Sequence, residues 1–436
     1  NNNFMNRQIL KIAIPSIVSN VTVPLLGLVD LWISGHIGSA DCIGAIAVGG
    51  MIFNMLYWLC GFLRMGTGGF TSQAYGRGNV GEINHILQRS LRMAFGLAFV
   101  FILLQQPLLH FSLWVMKASP GVSIMASSYF RILIWGAPAM LGIYSLAGWF
   151  LGQQNARVPM IVAILQNVIN ILVSMLLTMS FDWKVEGIAF GTLVSQWLAF
   201  LMYIFFPFSN HHPISVLWHK ISSQAVLPWG RFLSVNRDIF FRTLCLVAVQ
   251  LFFTATGATQ SDTILAANAL LLQFYILFSY VMDGFAYAGE AIGGKAYGAK
   301  NFEMFQNLTR HLFIWGIGLM LVFTIVYVMG GNELLKLLTA QGDVIATAQK
   351  YLPYAVFIPL TGFAAFLYDG LYIGTTSSRL MLLAVFLAAV SFFLLRFLLF
   401  PKFSNGGLWI AFLTFMFVRG GVQAICYHRI FRAKIK

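Results

Sequence analysis

The sequence predicts an all-α polytopic membrane protein with twelve transmembrane helices, arranged in two six-helix lobes related by a parallel pseudo-two-fold repeat. Three observations lead to this class: the composition, twelve long apolar runs and an internal repeat. Of the 436 residues, 59% are hydrophobic and only 9% are charged, against about 25% charged residues in a typical soluble domain. A soluble chain of this size could not bury that much apolar surface. The composition therefore excludes a soluble enzyme, a nucleic-acid-binding protein and a disordered protein.

Twelve apolar runs are long enough to cross about 30 Å of hydrocarbon as helices, which takes roughly 20 residues each. They cover residues 9–36, 43–70, 91–115, 125–151, 158–180, 187–206, 232–258, 264–292, 308–329, 345–374, 380–400 and 407–428. Because the number of spans is even, both termini are predicted to lie on the same side of the membrane.

The basic residues predict which side that is. Of the 27 Lys and Arg, seventeen fall in loops or span ends on the side of the termini, and five fall in loops or span ends on the opposite side. The remaining five lie within spans, at Arg64, Arg131, Arg242, Arg396 and Arg419. Cytoplasmic loops of membrane proteins collect Lys and Arg. We therefore expect both termini in the cytoplasm.

The domain organisation follows from the longest segment on the side of the termini. Residues 207–231 separate the sixth and seventh spans, and we interpret them as a cytoplasmic linker. The linker divides the chain into an N-lobe, residues 1–206, and a C-lobe, residues 232–436.

One constant offset of 222 residues aligns the two halves without a gap from the first span to the loop after the fourth, and we call this alignment the repeat register. It sets the segment 73–79, Gln-Ala-Tyr-Gly-Arg-Gly-Asn, against 295–301, Lys-Ala-Tyr-Gly-Ala-Lys-Asn. Further matched pairs are Gly35 with Gly257, Ser39 with Ser261, Tyr129 with Tyr351, Gly152 with Gly374, and Arg157 with Arg379. Since each half has six spans, the repeats are parallel, as in transporters whose two lobes enclose a central binding cleft. The repeat predicts a secondary transporter.

Other classes of membrane protein fit the sequence less well. No GxxxxGK[ST] motif for ATP is present, so we expect an ion gradient to drive transport, or transport to be passive. A passive channel does not explain paired lobes with divergent polar residues. An intramembrane hydrolase needs a nucleophile beside a base on neighbouring helices, and the sequence offers no such pair. The protein is therefore not expected to be an enzyme.

Asp30 is the leading candidate for a functional residue. It lies in the second half of the first span, between apolar neighbours. Apolar surroundings disfavour a charged carboxylate. We therefore predict that Asp30 binds and releases a proton, or ligates Na⁺ when it is ionised. The alternative is an acid held by neighbouring donors purely for helix packing.

Polar residues and prolines near Asp30 extend this candidate site. Pro15 and Pro24 interrupt the first span, and proline can kink a helix, so Pro15 is a candidate hinge. Asn170 and Ser174 share one face of the fifth span, since they are four residues apart, and Thr192 lies in the sixth span. These amides and hydroxyls are either cation ligands or hydrogen bonds between helices.

The C-lobe contains a second set of intramembrane acids. Asp369 lies in the tenth span, and Asp283 and Glu290 lie two turns apart on one face of the eighth span. We interpret them as a second-choice cation or substrate site. An equally good interpretation is that they form buried ion pairs with arginines at compatible depth, namely Arg64, Arg242 and Arg419.

The first span also carries a family resemblance. Residues 14–30, Ile-Pro-Ser-Ile-Val-Ser-Asn-Val-Thr-Val-Pro-Leu-Leu-Gly-Leu-Val-Asp, and residues 35–39, Gly-His-Ile-Gly-Ser, resemble the first helix of the MATE (multidrug and toxin extrusion) transporters, especially their DinF branch. Gln-Ala-Tyr-Gly at 73–76, Arg-Asp-Ile at 237–239 and Asp-Gly-Phe-Ala-Tyr at 283–287 are similar to DinF-type sequences. The resemblance covers essentially the whole chain.

The resemblance implies a bacterial inner-membrane antiporter that exports cationic or amphipathic compounds in exchange for H⁺ or Na⁺, with no cofactor. The family's N-lobe cation site corresponds to Asp30, Asn170 and Thr192, and its kink proline to Pro15. The chain has Ser174 where the family often has an aspartate. One carboxyl suffices for a proton, whereas Na⁺ prefers several hard, charged oxygens.

The resemblance leaves two alternative functions open and implies the partners of the protein. Asp369 resembles the C-lobe aspartate that other branches use for cations, so Na⁺ coupling through Asp369 with Asp283 stays open. A flippase for lipid-linked precursors is the other alternative. The expected partners are drug-like small molecules and membrane lipid, without nucleic acid, and the expected form is a monomer.

Overall fold

A computed structural model of the chain describes residues 2–37, 39–205 and 227–432. These residues form sixteen α-helices, and the 3₁₀ turn Ile134–Gly136 joins α6 to α7. The helices are α1 (Asn2–Ile37), α2 (Ala40–Leu59), α3 (Phe62–Gly76), α4 (Val80–Leu103), α5 (Gln105–Met116), α6 (Pro120–Leu133), α7 (Ala137–Gly152), α8 (Arg157–Ser180), α9 (Val185–Phe205), α10 (Trp229–Ala258), α11 (Asp262–Gly298), α12 (Phe302–Leu338), α13 (Gly342–Val356), α14 (Ile358–Gly374), α15 (Ser378–Phe403) and α16 (Asn405–Arg432).

The predicted all-α membrane class is confirmed. Eleven helical segments in the described ranges are long and apolar enough to cross a membrane, and the bent pair α13–α14 raises the number to twelve. Two of the spans are built from two helices each, Ala40–Gly76 and Pro120–Gly152. Because successive spans alternate in direction, we call the side on which α1 begins the terminal side and the opposite side the distal side.

The third span does not lie where the sequence placed it. The predicted run 91–115 is divided between α4 and the separate helix α5. Helix α4 begins at Val80, well before the predicted start, since Asn79 Oδ1 accepts from the backbone N–H of Glu82 at 3.1 Å and caps it. The first turns of α4 carry polar side chains that are buried in protein, such as His85 and Arg89. Mean hydropathy cannot distinguish a polar helical segment that is buried in protein from a polar loop.

The tenth span, predicted as one run over 345–374, is bent. The axes of α13 and α14 differ by 50° at a break around Phe357. Pro353 and Pro359 flank the break, and proline removes a backbone hydrogen bond from a helix. These prolines explain why one apolar run folds as two helices.

The repeat register recurs in the local structure of both halves. Ser39 caps α2 by accepting from Cys42 N, and Ser261 caps α11 by accepting from Ile264 N. Asn79 and Asn301 cap α4 and α12 in the same way. Positive φ angles also occur in pairs with this spacing, at Gly78 (69°) with Lys300 (55°), Gln154 (67°) with Thr376 (53°), and Asp182 (54°) with Ser404 (49°). The register therefore extends through the loop after the fifth span in each half.

Glycine packing repeats with the same spacing. A Cβ at Gly152 would lie 2.9 Å from the carbonyl oxygen of Gly68, and a Cβ at Gly374 would lie 2.5 Å from that of Glu290. Gly68 and Glu290 are themselves equivalent in the repeat register. In both halves a glycine therefore allows two helices to approach closely, α7 on α3 and α14 on α11.

The chain divides into two compact units. The N-terminal unit is Val18–Phe232, and the C-terminal unit is Asn1–Ile17 with Leu233–Lys436. The first half of α1 therefore belongs with the C-terminal unit, whereas the sequence analysis placed it in the N-lobe. Most of the predicted linker 207–231 lies outside the described residues, so the proposed division at the linker stays a prediction.

Candidate functional site

Helices α8 and α9 of the N-terminal unit pack closely because one of them has a glycine at the contact. A Cβ at Gly191 on α9 would lie 2.8 Å from the backbone nitrogen of Ser174 on α8. Any larger residue would push the two helices apart at this level. The close approach brings the polar residues of the fifth and sixth spans into direct contact.

Asn170, Ser174 and Thr192 form one hydrogen-bonded chain. Asn170 Nδ2 donates to Thr192 Oγ1 at 3.1 Å, and Ser174 Oγ donates to Asn170 Oδ1 at 3.1 Å. Thr192 Oγ1 donates in turn to the backbone carbonyl of Ile188. All three side chains are buried. The structure thus brings together three of the four predicted N-lobe residues, and their polar groups satisfy one another.

Asp30 is buried on α1 without a cationic partner. The residue is 8% exposed, and Oδ1 is buried with no hydrogen-bond partner among the described residues. No Lys or Arg in those residues pairs with it, and no hydrogen bond there joins it to the chain of Asn170, Ser174 and Thr192. Its carboxyl lies within electrostatic reach of the Tyr129 hydroxyl on α6. The carboxyl can therefore take up a proton without breaking an ion pair.

Asn167 fixes the depth of Asp30 relative to the polar chain. Its Nδ2 donates to the backbone carbonyl of Thr22 on α1 at 3.0 Å. The first and fifth spans run in the same direction, and a helix rises about 1.5 Å per residue. Asp30 lies about 12 Å beyond Thr22, and Ser174 lies about 10 Å beyond Asn167. Asp30 and Ser174 therefore occupy nearly the same depth.

Pro15 lies where α1 passes from one compact unit to the other. The C-terminal unit includes α1 as far as Ile17, and the N-terminal unit begins at Val18. Pro15 has no N–H to donate to the carbonyl of Lys11, which weakens the helix at that turn. The helix is nevertheless continuous from Asn2 to Ile37.

Asp369 in the C-terminal unit is surrounded by donors. Arg242 on α10 and Arg419 on α16 each donate a guanidinium N–H to Asp369 Oδ2, and Gln423 Nε2 donates to Oδ1. Arg242, Arg419 and Asp369 are all buried, at 6%, 3% and 5% exposure. Both carboxylate oxygens are therefore occupied by side chains of the protein, as in the ion-pair interpretation of these acids.

The other two C-lobe acids differ in their surroundings. Asp283 is half-buried and lies within electrostatic reach of Arg242 and Arg419. It therefore belongs to the same charged cluster as Asp369. Glu290 is fully buried two turns further along α11, where its backbone carbonyl lies against Gly374. The third candidate arginine, Arg64, lies in the N-terminal unit, whereas these acids lie in the C-terminal unit.

Sequence reasoning did not identify Tyr129 within electrostatic reach of Asp30 or Gln423 as a donor to Asp369. Tyr129 left one signal, because it matches Tyr351 in the internal repeat. Gln423 left none, since a single amide in a span is more often a contact between helices. Among the described residues, no three His, Cys, Asp or Glu gather in a group that could hold a metal ion.

Comparison with known proteins shows the family. The MatE family matches residues 15–176 and 239–398, one match in each half of the chain. The chain therefore belongs to the MatE family of membrane transporters.

Individual relatives agree with this assignment. The chain is 33% identical to DNA damage-inducible protein F of Escherichia coli (strain K12) over 421 residues, covering 97% of this chain and 92% of that protein. It is 28% identical to multidrug and toxin extrusion protein 1 of Homo sapiens over 234 residues, covering 52% and 40%. A crystal structure of MATE in the bent conformation superposes with a TM-score of 0.84 at 18% identity, covering 99% and 96%. That likeness shows the fold.

Proposed function

We propose that the protein is a secondary active antiporter that exports cationic or amphipathic compounds in exchange for H⁺, with Asp30 as the proton-binding residue. The family membership and the name of a human relative, multidrug and toxin extrusion protein 1, support the export of drug-like compounds. The observation that carries the choice of Asp30 is its burial on α1 with an unpartnered carboxyl oxygen.

The oxygen atoms near Asp30 favour H⁺ over Na⁺ as the coupling ion. Na⁺ needs several hard oxygen ligands, with charge to offset its dehydration. Asn170 Oδ1 already accepts from Ser174, and Thr192 Oγ1 already accepts from Asn170. Asp30 is thus the one carboxylate of the predicted N-lobe site. A proton needs only that single carboxyl group.

The proposed cycle couples the charge of Asp30 to substrate affinity. With Asp30 ionised, the N-terminal unit attracts a cationic substrate. Protonation from the distal side removes the negative charge, α1 bends near Pro15, and the substrate is released to that side. The lobes then rock, and the proton leaves on the terminal side. The differential affinity of the two protonation states provides the coupling.

The proposed location is a bacterial inner membrane, with both termini in the cytoplasm. The excess of Lys and Arg in segments on the terminal side supports this orientation. The bacterial relative that spans nearly the whole chain supports the choice of membrane. Under this orientation the distal side faces the outside, to which the cargo is exported.

The geometry of the C-terminal unit weighs against the alternative functions. Na⁺ coupling through Asp369 would require its oxygens to be available, but Arg242, Arg419 and Gln423 occupy them. A flippase for a lipid-linked pyrophosphate would need several cationic groups facing the cargo. Arg242 and Arg419 are instead buried against Asp369.

Efflux from vesicles loaded with a cationic dye tests the proposed coupling. We expect an imposed pH gradient to drive efflux in the wild type, and a Na⁺ gradient at clamped pH not to drive it. Asp30→Asn should abolish the pH-driven component, while the exposed-acid control Asp343→Asn should retain it. Full pH-driven efflux by Asp30→Asn, or Na⁺-driven efflux by the wild type, would overturn the proposal.

A further inference from the structure

One position of the internal repeat is neutral in the N-terminal unit and basic in the C-terminal unit. In the N-terminal unit this position belongs to the candidate site. In the repeat register, Arg396 on α15 corresponds to Ser174, and Thr256 on α10 corresponds to Ser34 on α1. The register is supported at this level by the paired positive φ angles of Asp182 and Ser404. Arg396 thus occupies the position equivalent to a member of the proposed proton-coupling site.

Arg396 is held in place by a hydroxyl and an aromatic ring. Its Nε donates to Thr256 Oγ1 at 2.9 Å, and its guanidinium carbon lies 5.8 Å from the centre of the Phe400 ring. Thr256 is 1% exposed. The bond to Nε fixes the guanidinium while leaving its two terminal nitrogens unbonded to the residues described. Those two nitrogens form the edge that binds a carboxylate or phosphate in a bidentate manner.

No acid neutralises Arg396 within the described part of the chain. Two buried arginines of the same unit, Arg242 and Arg419, show the contrast, since both pair with Asp369. A cation within a span is costly unless it is paired or hydrated. Arg396 is only part-buried, and it lies about 10 Å from the distal end of α15. Part of Arg396 is therefore left uncovered by the described residues, within about 10 Å of the distal side.

A buried polar network continues from Thr256 towards the distal loop. Gln260 Nε2 donates to the Asn405 side-chain oxygen at 3.2 Å. Asn405 Nδ2 donates to Asn268 Oδ1 at 2.9 Å, and Asn268 Nδ2 donates to Asn405 Oδ1 at 2.8 Å. Trp409 Nε1 donates to Asn268 Oδ1 at 3.0 Å. Gln260 Nε2 also donates to the backbone carbonyl of Thr256 at 3.5 Å, so the network links the end of α10 to α11 and α16. A rigid support of this kind is what a specific polar binding site requires.

We propose that Arg396, positioned by Thr256, binds an oxyanion at the distal end of the C-terminal unit: the carboxylate, sulfonate or phosphate group of an amphipathic ligand. The two units then carry opposite charges at related positions, an acid at Asp30 and a base at Arg396. Exported compounds would include zwitterions as well as cations. A lipid headgroup presents the same oxyanion chemistry, so the ligand is either cargo or lipid. Binding at Arg396 does not depend on whether Asp30 carries the coupling proton.

Equilibrium binding to the purified full chain in phosphatidylcholine nanodiscs tests the site without any ion gradient. The probes are rhodamine 110, which carries a free carboxylate, and rhodamine 123, its methyl ester. Arg396→Gln should weaken the binding of rhodamine 110 by roughly 10- to 100-fold, the range for a charge-assisted hydrogen bond. It should leave rhodamine 123 unchanged. Lys402→Gln, which removes an exposed charge from the same helix, should change neither dye.

A second arm identifies a lipid as the ligand. Nanodiscs containing phosphatidylglycerol, whose phosphate is not neutralised by a choline cation as in phosphatidylcholine, should raise the melting temperature of the wild type but not of Arg396→Gln if the oxyanion is an anionic headgroup. The proposal is overturned if two results occur together. Arg396→Gln changes the affinity for both dyes equally or for neither, and phosphatidylglycerol shifts the melting temperatures of the wild type and of Arg396→Gln equally. If Arg396→Gln does not fold, Thr256→Val, which frees the guanidinium, should weaken rhodamine 110 binding several-fold, and an unchanged affinity would overturn the proposal. Loss of pH-driven efflux in Asp30→Asn bears on the coupling alone.

Discussion

The side-chain amide of Asn170 donates to the hydroxyl of Thr192 across 3.1 Å, between two buried residues on neighbouring spans. This bond places the polar groups of the fifth and sixth spans at the level of the acid on α1. It also means that both side chains already have hydrogen-bond partners within the protein. The pair therefore supports the helices around Asp30, and its rearrangement is available when the charge of Asp30 changes.

A double-mutant cycle measures the strength of this bond. Asn170→Ala and Thr192→Val should each destabilise the protein, and the pair should show a coupling energy of about 1 kcal/mol, because both side chains are buried. The free energy of unfolding in mixed micelles provides the measurement. Asn167→Ala with Thr192→Val is the matched control and should be additive. An additive result for Asn170 with Thr192 would show that the bond contributes no coupling.

The position of Pro15 predicts a kinetic effect. Pro15→Ala restores a backbone donor and stiffens α1 where the helix passes between the two compact units. We expect dye export to slow by roughly fivefold while equilibrium dye binding is unchanged, as for a residue that affects only a conformational step. Stopped-flow efflux and a binding titration separate the two effects. Pro24→Ala, which lies within one unit, should have the smaller effect, and a wild-type rate for Pro15→Ala would exclude the hinge.

The charged cluster in the C-terminal unit predicts a stability effect. Asp369→Asn leaves Arg242 and Arg419 buried beside each other without their shared counter-ion. Removing one partner of a buried ion pair costs about 3–5 kcal/mol, so we expect a large fall in the free energy of unfolding. The exposed Asp343→Asn is the control. Normal stability together with loss of Na⁺-driven transport would instead identify Asp369 as a coupling residue.

Much of the fold was predictable from local patterns. The twelve apolar runs and the internal repeat reflect periodic, short-range features, and the paired caps at Ser39 and Ser261 show that the repeat is physical. The predicted bounds of the third span were wrong because helix α4 begins with buried polar residues such as Arg89. A hydropathy profile assigns such residues to a loop. The bend around Phe357 was also missed, because the sequence analysis rested on apolar length and did not weigh the nearby prolines Pro353 and Pro359.

The site was less predictable because its contacts join distant parts of the chain. The sequence placed Asp369 and Arg419 at compatible depth, but which arginine faces the acid depends on how α10, α14 and α16 pack. Conversely, Asp30 was identifiable because an isolated acid in a long apolar run is unusual whatever it contacts. Tyr129, which lies within electrostatic reach of Asp30, comes from a helix much later in the chain, and no local pattern links the two.

The most direct test is proton flux during transport. Proteoliposomes that contain the protein and an internal pH indicator are mixed with a cationic dye, at a clamped membrane potential and without Na⁺. For the wild type we predict proton movement opposite to the dye, with kinetics that match dye transport. For Asp30→Asn we predict none, while Asp30→Glu, which retains a carboxyl group, should keep part of it. Undiminished dye-dependent proton flux in Asp30→Asn would contradict the role of Asp30 as the proton-binding residue.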